Sequence, residues 1–359
     1  MARLFYSMAG EGRGHAARAR TLVELLRPRH RITLFTPGDA HALLAPLYAG
    51  TDVEVVELPG LRFRYNRRQE VAFLKTGAAG ARYLWNLNAL VAGLRRRIDA
   101  DAPDLAIVDF EPALPRAARA SGLPFVSVSH QHFLVCCDLS ALPFHLRAHA
   151  RFMSLIVKGY YRGQRETVVS SFYFPPLKRG NGPVTQVGVL LRPAVRDARP
   201  RDAGHLLVYL RRFGGPRVLG ALKACGLPVR VYGLGAAPPD GALQFLPVDD
   251  RQFLDDLAAC RALVSTAGNQ LVGEALYLGK PVFALPEPRN YEQYINAHFL
   301  KASGAGDWTD FHAVEAARLR GFLGRLDFYQ ARIDRGKLDG NHATLEAIGR
   351  NLNGKREEA

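Results

Sequence analysis

The chain has 359 residues, 48% of them hydrophobic, enough for two domains of ordinary size with a core each. Its formal net charge of +15 and isoelectric point near 10.0 make polyanions natural partners: nucleic acid, anionic lipid headgroups or phosphorylated substrates. No zinc-finger, RNA-recognition or helix-turn-helix signature accompanies that charge, no apolar run is long enough to span a bilayer, and Cys136, Cys137, Cys225 and Cys260 lack metal-set spacing. The opening residues read as a buried strand, not a secretory core, so a soluble cytoplasmic protein is expected. Arginine beside abundant alanine also fits a GC-rich coding sequence, which would leave the charge without a function.

In chain order, Arg3 to Met8 reads as a strand running into Ala9-Gly10-Glu11-Gly12-Arg13-Gly14-His15 and a helix from about Ala16 to Leu26. The glycine spacing approaches a dinucleotide fingerprint without matching it. The second strand closes on Thr36-Pro37-Gly38, without the acid that would bind a ribose, so no NAD site is expected. Asp52 to Leu58 is another strand. Leu84, Leu87, Val91 and Leu94 fall at helical spacing, and Phe63, Arg64, Tyr65, Arg67 and Arg68 ahead of them form a basic, aromatic stretch suited to anionic headgroups. Pro103 to Pro112 reads as a buried parallel strand ending in the acids Asp109 and Glu111, and Pro124 to His130 repeats the pattern, with Gln131 and His132 following its terminal His130. Phe144 to Tyr161 is helical. Thr167 to Pro176 is the last strand of the first half, and Lys178 to Pro183 has linker composition. The second half begins with a strand at His205–Leu210 followed by Arg211-Arg212-Phe213-Gly214-Gly215. Strands at Val229 and Leu243 and a helix at Phe253 follow. Residues Val314 to Phe328 read as helix, and a last helix is expected around Asn341 to Asn353.

The most informative stretch runs from Leu263 to Ala297. A short apolar strand ends in Ser265-Thr266-Ala267-Gly268-Asn269-Gln270, a helix carries Glu274, Gly279 stops it, and a second strand lies between Pro281 and Pro286. Another helix opens at Tyr291 with Glu292 and Gln293. Gly268 permits close backbone approach, and the free N–H groups of the following helix carry partial positive charge: a place for a phosphate. Glu274 can accept hydrogen bonds from a ribose diol, and Glu292 with Gln293 from sugar hydroxyls. This ordered set resembles the donor-binding motif of GT-B glycosyltransferases that use UDP-sugars, and that of the peptidoglycan lipid-intermediate N-acetylglucosaminyltransferase. Gly268, Glu274-Ala275, Gly279, Pro281, Pro286, Glu292-Gln293 and Asn296-Ala297 carry the likeness. Thr266 departs from it, standing where many of these enzymes have His.

The resemblance implies an α/β fold of two Rossmann-like domains facing a central cleft. The acceptor domain would cover residues 1–180, the nucleotide-sugar domain 184–335, and a helix in 336–359 would cross back to the first domain. It implies hexosyl transfer from a UDP-sugar co-substrate to a hydroxyl, with inversion and without a metal. His15 would be the base and Asp109 its partner, with Glu111 in reserve, and Gly12, Gly14, Glu111 and His130 would line the acceptor side. Thr266, Gly268, Asn269, Gln270, Glu274, Glu292 and Gln293 would hold the donor. Arg211 and Arg212 would face the leaving diphosphate, and the base would rest on Phe245 and Leu246 through backbone groups. No cofactor is implied. The acceptor stays open among lipid-linked, small-molecule and glycan hydroxyls, with peripheral association at an anionic membrane. The rivals are a UDP-N-acetylglucosamine 2-epimerase-like isomerase, a nucleotide-sugar-binding protein without catalysis, and a transferase acting on modified nucleic acid.

Overall fold

The computed structural model describes residues 1–10, 13–60, 73–211 and 214–357. The chain divides into two compact units, Met1–Leu190 with Gly340–Ala359, and Leu191–Asp339.

The first unit alternates strand and helix: β1 (Ala2–Met8), α1 (Arg13–Leu26), β2 (His30–Thr36), α2 (Gly38–Tyr48), β3 (Glu54–Glu57), α3 (Phe73–Asp101), β4 (Leu105–Asp109), α4 (Ala113–Ala120), β5 (Phe125–Ser129), a single turn α5 (Phe133–Cys136), α6 (Phe144–Tyr160), β6 (Glu166–Ser170) and β7 (Val184–Val187). All pairings are parallel, in the order β3-β2-β1-β4-β5-β6-β7. Strands β4, β5 and β6 are buried at every residue, as parallel strands covered on both faces must be. Leu4, Tyr6, Met8, Leu34, Ile107, Val126 and Val168 belong to the core beneath them.

The second unit repeats the scheme with α7 (Pro193–Asp197), β8 (Leu206–Tyr209), α8 (Pro216–Lys223), β9 (Val229–Tyr232), β10 (Ala237–Asp240), β11 (Leu243–Leu246), α9 (Asp250–Ala259), β12 (Ala262–Ser265), α10 (Asn269–Tyr277), β13 (Val282–Ala284), α11 (Tyr291–Ala302), β14 (Gly306–Trp308), α12 (Ala316–Leu323) and α13 (Leu326–Gln330). The order is β10-β11-β9-β8-β12-β13-β14, parallel except where β10 meets β11. The final helix, α14 (Asn341–Glu357), belongs to the first unit and packs against β5, β6, β7 and α1. Its anchor is Glu166 of β6, whose carboxylate accepts hydrogen bonds from Arg350 and Asn351, each at 2.8 Å. A Cβ on Gly340, at the entry to α14, would lie 2.1 Å from the carbonyl oxygen of Gly188, so only glycine fits that crossing.

Two elements differ from the sequence reading. The Gly180-Asn181-Gly182-Pro183 stretch is a turn, not a linker: Gly180 and Gly182 have φ of 83° and 70° and send β7 back beside β6. The first unit therefore runs to Leu190. The helix expected over Val314–Phe328 is two helices, α12 ending at Leu323 with Gly324 as its C-cap and α13 beginning at Leu326.

Each sheet reverses its winding once, between β1 and β4 in the first unit and between β8 and β12 in the second. In open parallel sheets ligands bind outside the carboxyl ends of the strands at such a switch point. The described loop residues that flank these two points are 9–10 with 110–112, and 210–211 and 214–215 with 266–268.

Candidate functional site

At the switch point of the first unit, His15 on the first turn of α1 meets Asp109 at the end of β4. His15 Nδ1 lies 3.1 Å from Asp109 Oδ1. The register explains the meeting, since Met8 and Asp109 are paired residues at the ends of β1 and β4. Asp109 is fully buried and also takes a two-pronged ion pair from Arg18, with Nε to Oδ2 at 2.8 Å and Nη2 to Oδ1 at 2.9 Å. Burial would raise the Asp109 carboxyl, but the Arg18 guanidinium, and then His15, overcome it and hold the group down at about 2. Asp109 is therefore a fixed anion at neutral pH. Arg18 Nη2 also lies 3.0 Å from His15 Nδ1, so imidazole, guanidinium and carboxylate form one closed triangle. In the tautomer whose Nδ1–H donates to Asp109, Arg18 touches Nδ1 without a hydrogen bond and the Nε2 lone pair is available for proton abstraction.

Phe110 follows Asp109 with φ of 55°, a left-handed conformation that is uncommon outside glycine, and its ring lies parallel to that of His15 at 6.4 Å. Strain of this kind, worth about 1–3 kcal/mol, is typically kept where function needs the geometry. Glu111 is not a second partner for His15. Its oxygens accept the backbone N–H groups of Ala113 and Leu114 at 2.6 and 2.9 Å, capping α4, and burial pushes its carboxyl up. His130 is buried; its Nδ1 lies 3.2 Å from the carbonyl oxygen of Ser170, and its ring packs on Phe133 and Tyr173. His132, nearby, has Nδ1 between the hydroxyls of Ser127 and Ser129, and burial holds its imidazole at about 4. Gly14 lies in the first turn of α1, where an added Cβ would meet nothing within 4 Å, while Gly12 lies outside the described residues, as do Phe63, Arg64, Tyr65, Arg67 and Arg68.

At the switch point of the second unit, β12 runs through Thr266 and Ala267 into α10, whose N-cap is Gly268. Ala267 has φ of 54°, and Asn296 Nδ2 donates to its carbonyl oxygen at 3.0 Å, which fixes the turn from the neighbouring α11. The N-cap of α10, Gly268, has no side chain with which to cap the helix. A Cβ built on Gly268 would meet nothing within 4 Å, and Gly268 has an ordinary φ of −70°. The helix α10 thus begins on a glycine that neither its backbone conformation nor its surroundings require. Thr266, Asn269 and Gln270 are largely buried around this turn.

Glu274, one turn further, is buried. Its Oε2 accepts from Arg192 at 3.1 Å and its Oε1 from Gln270 at 2.9 Å. Gln293 is likewise engaged: its Oε1 accepts the backbone N–H of Glu287 at 2.7 Å, and its Nε2 donates to Glu287 Oε2 at 3.2 Å. Arg211, after β8, reaches Glu287, after β13, at 3.5 Å, so the pair bridges across the end of β12. Glu292 is half-buried in the first turn of α11, and Phe245 and Leu246 are half-buried on β11. Arg212 lies outside the described residues. Among the described residues no group of three His, Cys, Asp or Glu side chains is arranged to hold a metal ion.

Three side chains that bond to the expected site residues escaped the sequence reading. Arg18 was within reach, because i and i+3 share a helix face. Glu287 stands between Pro286 and Pro288 at a strand end, a position that acids also take for capping. Arg192 lies 82 residues from Glu274, and no local pattern joins them.

The glycosyl transferase family 1 profile matches residues 2–327. No curated protein matches the chain by sequence. Solved structures match it nearly end to end. The Arabidopsis thaliana protein UGT89C1, complexed with UDP-L-rhamnose, superposes with a TM-score of 0.69 at 16% identity, covering 98% of this chain and 99% of its own. LpCGTa in complex with UDP gives 0.66 at 17%, covering 98% and 100%. MurG of Acinetobacter baumannii gives 0.63 at 14%, covering 98% and 100%. These likenesses fix the fold as GT-B, the two parallel Rossmann-like sheets described above. With the family profile covering most of the sequence, the chain belongs to glycosyl transferase family 1 and is a glycosyltransferase of the GT-B fold.

Proposed function

We propose that the chain transfers a hexose-type sugar from a nucleotide-sugar, a UDP-sugar, to an acceptor hydroxyl with inversion and without a metal. The N-terminus of α10, set on Gly268 at a switch point of the sheet, carries this reading. Its amides and the Thr266 and Asn269 side chains bind the diphosphate. Glu274, fixed by Arg192 and Gln270, still has lone pairs for the ribose hydroxyls. Glu292 and Gln293 serve the sugar. Glu287 joins them, because its Oε1 is buried without a hydrogen-bond partner among the described residues.

In the first unit Asp109 orients His15, and Nε2 takes the acceptor proton as the hydroxyl oxygen bonds to the anomeric carbon and the carbon–oxygen bond to the diphosphate breaks. The charge on departing UDP is met by the α10 amides and by Arg211, with Arg212 beside it in sequence. Two of the structural relatives are complexes with UDP or a UDP-sugar, which supports uracil as the base.

The test is UDP release from a panel of UDP-sugars with lipid-linked, small-molecule and glycan acceptors. His15→Ala should bind UDP as the wild type does and lose transfer by about 100-fold or more, the range of a general base. Full activity in His15→Ala would remove the base from the mechanism.

A further inference from the structure

Helix α6 presents an apolar face to solvent. Phe144, Phe152 and Leu155 are 76%, 62% and 66% exposed. At helical spacing they fall within about 80° of the circumference, with Ala148 and Gly159 between them. The opposite stripe, Leu146, Ala150 and Val157, is buried and seats the helix on the unit. Arg147, Arg151 and Lys158 lie together along one edge of the exposed face, and α6 contains no acidic residue. Exposed aromatic and aliphatic side chains on one arc, with arginine and lysine along one edge and His145 on the other, match a helix that lies in a lipid interface. A protein partner matching this edge would have to be acidic and apolar together, and the net charge of +15 favours the more general anionic surface.

We propose that α6 is an interfacial helix that seats the first unit on an anionic lipid bilayer. Phe144, Phe152 and Leu155 enter the acyl boundary, and Arg147, Arg151 and Lys158 meet the headgroups. The C-terminal end of α6 leads to the candidate site, because Tyr160 packs on Phe110 at 5.5 Å and Phe110 lies beside His15. A hydroxyl acceptor held at that surface would thus arrive next to the base. That consequence rests on the transfer reading, whereas lipid binding does not.

The experiment is co-sedimentation of the full chain with phosphatidylcholine vesicles, with and without phosphatidylglycerol, in the absence of donor and acceptor. Anionic vesicles should bind the wild type roughly 100-fold better than neutral ones, about fivefold for each of the three cations. The Phe144→Ser, Phe152→Ser, Leu155→Ser variant should keep the wild-type melting point, since all three side chains are exposed, and lose most of the binding. Arg151→Glu with Lys158→Glu should lose the preference for anionic lipid. Wild type that sediments with neither vesicle, or equally with both, would overturn the proposal. So would a triple variant that sediments like the wild type. Self-association abolished by the triple substitution, without vesicle binding, would assign the face to a second copy of the chain instead.

Discussion

Arg18, Asp109 and His15 show how a single cation sets the character of a site. Burying a carboxylate costs several kcal/mol unless it is paired, and Arg18 provides the pairing with two hydrogen bonds. His15 can then use Asp109 as an orienting acceptor without Asp109 taking up a proton. His132, close by, follows the opposite logic. Burial holds its imidazole at about 4, against an ordinary value of 6.5, so the folded chain keeps it neutral. Below 6.5 the unfolded chain binds that proton and the folded chain does not, so stability falls as pH falls, until about 4, where the folded form binds it too. One such group costs about 2 kcal/mol between pH 6.5 and 5. Urea unfolding at pH 7 and pH 5 should show the wild type losing stability on acidification and His132→Gln losing measurably less. Equal losses in the two proteins would place the sensitivity elsewhere; His30, His149 and His205 are the next groups to test, since burial lowers each of them as well.

At the scale of elements, most strands and helices could be read from the sequence. The period-two and fully apolar runs at Leu105–Asp109, Phe125–Ser129 and Ala262–Ser265 have few other solutions than buried parallel strands. The turn at Gly180–Pro183 was not readable, because glycine and proline mark tight reversals and linkers alike. Three-residue β14 was also invisible, since Gly306-Asp307-Trp308 has no periodicity and exists only by pairing with β13. The docking of α14 depends on a close backbone crossing that composition does not reveal. Gly340→Val would drive its Cβ into the Gly188 carbonyl, so it should destabilise the first unit by about 2 kcal/mol or more. Thermal unfolding checks this; an unchanged melting point would mean that α14 contributes little there.

For the whole molecule, the order of strands does most to position chemistry. Both sheets reverse at one place, and the residues that the sequence singled out, His15 and Asp109 in one unit and Gly268 in the other, stand at those reversals. The glycine turn, Glu274 and Gln293 were legible because the ordered set has recognisable spacing. Their partners were not, because Arg192 and Glu287 reach them only through the folded chain. The most direct measurement of the central claim exploits the open space at Gly268. A Cβ there meets no protein atom within 4 Å and takes an ordinary φ, so Gly268→Val should fold with a melting point near that of the wild type. If the turn binds a diphosphate, the added side chain will block it, and calorimetry with UDP should give a Kd at least about tenfold weaker, a loss of about 1.4 kcal/mol. A Gly268→Val protein that melts normally and binds UDP as tightly as the wild type would contradict the account.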